Sequence, residues 1–100
     1  MISINDKALN YAKKGGLSFV VKVIPINLEC WNGTTTQAMS LRTKTVFENE
    51  IEKDLFNEFQ VNGVKVFILK ELKMDEEVKI IQHVQLPFTK PSFGVQGVHI

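Results

Sequence analysis

A chain of 100 residues with a net charge of +1 forms one domain over residues 1–100, has no room for a second core, and presents no broad field to draw nucleic acid or a membrane surface. Apolar residues make up 44% and charged residues 23%, as in an ordinary soluble globular protein, and no apolar run approaches the ~20 residues of a membrane span. The single cysteine, Cys30, excludes an internal disulfide framework and fits a reducing compartment, so a cytoplasmic location is expected.

Ser3-Ile4-Asn5-Asp6 has the shape of a capping box, and Ala8, Leu9 and Ala12 then recur at helical spacing. Lys13 and Lys14 complement the dipole of the last turn and Gly15-Gly16 supplies a terminating glycine, which predicts a helix over about residues 5–14. Leu17–Ile24 reads as a strand with two apolar faces, hence a central one, with the helix covering one side. Pro25 cannot donate to a ladder and marks this strand's end or an edge. Asn27–Thr36 reads as a loop on composition and holds Cys30 and Trp31.

Gln37–Lys44 returns as a weaker strand, with Met39 and Leu41 facing inward and Ser40 and Arg42 outward. Thr45–Glu48 again has a capping-box shape, and a short helix or turn is expected before residue 56. The most specific signal is Glu58–Leu69, two apolar-rich runs around Asn62-Gly63. That dipeptide suits a type I′ turn, which sets Val61 opposite Val64, Gln60 opposite Lys65 and Phe59 opposite Val66. Lys70–Glu76 reads as a polar connection, and Val78–Leu86 alternates as a strand. Pro87 and Pro91 bracket a loop, and Phe93–Ile100 forms a last strand in which Gly94 and Gly97 mark bulges or close backbone approach. The sum is a mainly β (α+β) domain of about five or six strands, a small β sandwich or barrel-like roll with one N-terminal helix.

Candidate chemistry is sparse. Cys30 is a metal ligand, a redox-sensitive thiol or a buried inert residue, and Glu29 beside it does not favour a thiolate. His83 and His99 have no partner at zinc-ligand spacing and read as surface histidines. Trp31, next to Asn32-Gly33, is either a binding anchor in a loop or a cap on the sheet core. Thr34-Thr35-Thr36 lacks the frame of a phosphate loop. The acids of residues 48–54 and of Asp75-Glu76-Glu77, interleaved with lysines, read as a solvated surface. No nucleophile–base motif appears, and the chain is not expected to be an enzyme.

Four features occur in order: a helix ending Lys13-Lys14-Gly15-Gly16, a strand running into Cys30-x-x-Gly33, the hairpin Gly63-Val64-Lys65-Val66-Phe67, and a closing stretch from Phe93 to Gly97. In that order they resemble the HesB-like family of A-type iron–sulfur carriers, nearest to its offshoot with a Cys-Cys or Cys-selenocysteine motif. The resemblance implies that family's β fold and a homo-oligomer or protein partner. It places a first cluster ligand at Cys30. The family's Cys-x-Cys pair is absent from Leu86–Phe93, and Glu29 and Trp31 flank Cys30 where the offshoot doubles its cysteine. A [2Fe–2S] cluster usually takes four cysteines. The expectation is therefore a degenerate HesB-like domain, a binding or interaction module without a cofactor, with an alternative in which Cys30 holds a cluster or metal ion across a dimer.

Overall fold

The computed structural model describes residues 1–29, 33–83 and 91–100. Its elements are β1 (Ile2–Ile4), α1 (Asp6–Gly15), β2 (Ser18–Glu29), β3 (Thr35–Val46), β4 (Phe56–Val61), β5 (Val64–Leu69), β6 (Lys73–Gln82) and β7 (Phe93–His99), with short 3₁₀ turns at Glu48–Glu50 and Lys53–Leu55. The seven strands form one sheet in the order β1-β6-β7-β3-β2-β5-β4. The outer strands β1 and β4 approach each other, so this mainly β sheet is nearly closed, like a barrel.

The hairpin stands as expected. Asn62 and Gly63 take φ of 50° and 86°, the pairing positive at both positions that a type I′ turn requires, and Phe59↔Val66, Gln60↔Lys65 and Val61↔Val64 are in register. The register turns Val64, Val66 and Ile68 into the core. There they meet Phe19 and Val21 from β2, Val78 and Ile80 from β6, and Val98 from β7. Ala8 and Ala12 close this core from α1, and their small side chains let the helix lie close to the sheet.

The helix cap differs from the capping-box expectation. Asn5, not Ser3, is the N-cap, and its side chain accepts a hydrogen bond from the Ala8 N–H at 3.0 Å. Ser3 belongs to β1, which sequence reasoning missed. β1 runs parallel to β6, and the pairing Ile4↔Ile80 buries Ile4. Gly16 ends the helix in the left-handed conformation.

β2 lies between β3 and β5, as its two apolar faces implied. It does not stop at Pro25. It runs on to Glu29 and pairs with β3 along its whole length, including Pro25↔Met39. Beside β5 it pairs only at Phe19–Val21, so among the described residues Pro25 sits where one side of the strand has no partner and its missing N–H costs no ladder bond there. The expected loop at 27–36 therefore shrinks. Met39 lies on the same face as Leu41, as expected, but it is 51% exposed, because at that point the strand has passed the end of the body. Leu41, nearer the body, does pack on the core.

Val20 and Phe67, on the opposite face of β2 and β5, are also buried. The Phe47–Leu55 segment returns over this outer face, with Ile51 and Leu55 across a hollow of about 300 Å³ from Val20 and Val46. It holds two 3₁₀ turns instead of a capped helix, because Thr45 and Val46 are committed to β3. β6 starts at Lys73, so the polar connection before it is a tight turn, closed by the Leu72 N–H donating to Leu69 O at 3.0 Å. The alternating stretch predicted to Leu86 is β6 to Gln82, with Val78 and Ile80 buried, and Val84 and Leu86 lie outside the described residues.

Candidate functional site: a seam cleft and a projecting arm

Two features of the sheet are unusual for a small barrel. The first is the seam between β3 and β7, which pair at a single position, Thr43↔Phe93. Phe93 anchors that position, its ring 5.2 Å from Phe19 edge-on and 5.6 Å from Tyr11 of α1. Around the seam a cleft of about 720 Å³ opens, within the range of small-ligand pockets.

Strand parity places its cations on one face. Arg42 and Lys44 of β3 lie on the same outward side as Lys22 and Val20 of β2, their register partners. Ile81 and Gly94 pair across β6 and β7, and His83 follows two residues on. The His83 N–H donates to Ser92 O at 2.9 Å, which fixes the end of β6 against the start of β7. A side chain at position 94 would come within 2.6 Å of His83 Nε2, so glycine there gives the imidazole its space beside the cleft. Arg42, Lys44 and His83 thus border a cleft with Ile81 on the same outward face, and no acidic residue is among the described residues lining it. Lys22 is held below the usual lysine range, first by the Lys44 amino group within hydrogen-bonding reach and then by partial burial. Lys22 and Arg42 are direct cross-strand partners, a like-charge pairing that destabilises a sheet.

The second feature is an arm. Beyond Lys22 and Arg42, β2 and β3 continue as a two-stranded ribbon, and the molecule measures 48 × 35 × 27 Å. One face of the arm carries Ile24, Ile26, Leu28 and Ala38, with Leu28 49% exposed. Among the described residues no strand pairs with Gln37–Leu41 on the side away from β2.

Cys30, Trp31 and Asn32, three of the four expected site residues, lie outside the described residues, between the two strands of the arm. Gly33 is exposed, with φ of 85° and open space around its Cα. Among the described residues no three His, Cys, Asp or Glu side chains gather into a metal-binding group. His99 meets Asp75 at 2.9 Å on the surface, far in sequence from His83. The acids of residues 48–54 are not merely solvated: Glu48 binds Lys65 at 2.6 Å and Lys53 at 2.9 Å. No helix among the described residues is long and apolar enough to cross a membrane.

Sequence reasoning missed the cleft, because its cations come from separate strands and only the register brings them together. The one signal available was the outward alternation of Lys22 and Arg42 in their own strands. No family model, curated protein or solved structure matches this chain.

Proposed function

We propose that the chain is a non-enzymatic, cytoplasmic interaction module that works as a homo-oligomer, two copies joining through their arms. The observation that carries this reading is the edge of β3 at Gln37–Leu41, which no strand covers among the described residues and which contains neither a charge nor a proline. Open edges are templates for further strand pairing, and proteins that stay monomeric blunt them with charge, proline or a bulge. β2 has such a block at Pro25, and Gln37–Leu41 of β3 has none.

Charge argues for a second copy as the occupant. Between Lys22 and Arg42 at its base, the arm has one charged residue, Glu29 at its tip. An antiparallel β3–β3 pairing about a twofold axis near Met39 sets the acidic tip of each arm beside the basic base of the other. It also brings the apolar stripe of Ile24, Ile26 and Leu28 into one continuous face.

Size-exclusion chromatography with light scattering tests this. The wild-type chain is expected to run as a dimer, and Met39→Lys or Met39→Pro to run as a folded monomer, since the Met39 N–H faces away from β2. A wild-type monomer, or a dimer indifferent to both substitutions, removes the reading.

The alternative carried by the HesB-like resemblance, an iron–sulfur or metal carrier using Cys30 across a dimer, needs the arm tips to meet. Antiparallel edge pairing sends the tips at Glu29 and Thr35 to opposite ends. Anaerobic reconstitution with iron and sulfide would separate the two: visible absorbance lost in Cys30→Ser would favour the carrier, and a colourless protein the arm-paired module.

A further inference from the structure

We infer that the seam cleft between β3 and β7 is a binding site for a small organic oxyanion, a phosphate ester or carboxylate with an apolar body. Arg42, Lys44 and His83 would hold the charged head, with the apolar body against Ile81 on the same face. The cleft adjoins the β3 edge of the arm at Leu41 and Arg42, so the titration is run on the Met39→Lys background as well as on wild type, which separates failure of this site from failure of the arm pairing.

Three observations support it. First, within one chain the cations are uncompensated. Neither Lys22, Arg42 nor Lys44 forms an ion pair with a described residue, although lysines elsewhere do, as at Lys53 and Lys65 with Glu48. Glu50 and Glu52 lie near Lys22 and Lys44, around the adjoining hollow, without pairing to them. Second, the free protein keeps an unfavourable arrangement, Lys22 against Arg42 and Lys22 against Lys44. An anion held in the cleft by Arg42 and Lys44 lessens the repulsion each exerts on Lys22 at its border, so the bound state gains what the empty state lacks. Third, the seam supplies recognition beyond charge. Because β3 and β7 pair at Thr43↔Phe93 alone, the cleft is lined from both strands, and its volume suits a ligand larger than a bare ion. Arg42 brings a planar donor fork that matches an oxyanion bidentately, and His83 a ring donor held in place by its backbone bond to Ser92 and the space at Gly94.

The test is an amide NMR titration of the full chain with phenyl phosphate, inorganic phosphate and phenol as probes. Phenyl phosphate is expected to give saturable shifts at Thr43, His83 and Phe93, with inorganic phosphate binding the same residues more weakly and phenol leaving them unmoved. In Arg42→Gln/Lys44→Gln the phenyl phosphate affinity should fall at least about tenfold, since charge-assisted bonds are lost. The same variant should melt no lower than wild type, because like charges have been removed from exposed positions. That pairing of weaker binding with undiminished stability separates loss of the site from loss of the fold. Equal response to phenol, unchanged affinity in the double variant, or shifts spread instead over Lys7, Lys13 and Lys14 of the helix would each overturn the assignment.

Discussion

Gly97 shows how much a single residue can determine here. It takes φ of 86°, and a Cβ at this position would overlap the Glu77 carbonyl oxygen. The reason lies across the ladder. Met74 pairs with Val98 and Lys79 with Gln96, so Asp75-Glu76-Glu77 bulge out of β6, and the glycine gives that bulge its space. Three consecutive acids cannot be buried in register, and the bulge leaves them exposed while Val78 returns to the core. Gly97→Ala combines a left-handed backbone with a collision against backbone and is expected to cost about 2 kcal/mol or more in urea unfolding. Gly63→Ala shares the φ but meets only the distant end of Lys13, and should cost about 1 kcal/mol. Position 97 was readable from sequence as a glycine inside a strand. The acidic bulge opposite it was not, since nothing local says which residue of β6 faces Gly97.

Among the elements, the return from β3 to β4 is fastened by Glu48, which joins Lys53 on its own segment and Lys65 on β5. Hydrogen bonds from Lys65 first, then Lys53, hold the Glu48 carboxyl at about 2, and Lys65 is raised in turn by Glu48. A carboxylate whose folded value lies below its unfolded value of about 4.3 stabilises the fold above that value and loses its contribution as pH falls toward 2. The acid limb of the stability–pH profile should therefore be shallower in Glu48→Gln between pH ~5 and ~2, and the difference should shrink with added salt, since the groups are solvent-accessible. Thermal melts across that range at two ionic strengths check both. This fastening explains why the segment was hard to read: Thr45–Glu48 has capping-box residues, but the strand takes Thr45 and a long-range lysine takes Glu48. β2 misled for a related reason. Proline and a run of polar residues signal an end only when both sides of a strand need partners, and past Val21 β2 needs one.

At the scale of the whole molecule, what was legible was local or two-residue periodic: the helix, the hairpin register, the central place of β2 and the mainly β class. What was hidden came from long-range pairing. β1 is three residues long and exists only because β6 is beside it. The arm exists because β3 follows β2 past the end of the body, and the cleft because β7 meets β3 once. Composition near neutrality concealed the cationic face, since +1 for the chain averages Arg42, Lys44 and Lys22 against acids gathered in the β6 bulge and the return segment.

The single rung at Thr43↔Phe93 also sets an order of events in time. It divides the sheet into β2–β5, one unbroken stretch of chain from Ser18 to Leu69, and β1-β6-β7, assembled from both ends. The first unit includes two hairpins that close short loops, whereas Ile2 must find Val78 across most of the polypeptide. Refolding should thus nucleate in the middle of the chain and be completed when its extremities dock. Kinetic φ-values are expected to be high for Val66→Ala and low for Val78→Ala, and the reverse ranking would show that the extremities meet first.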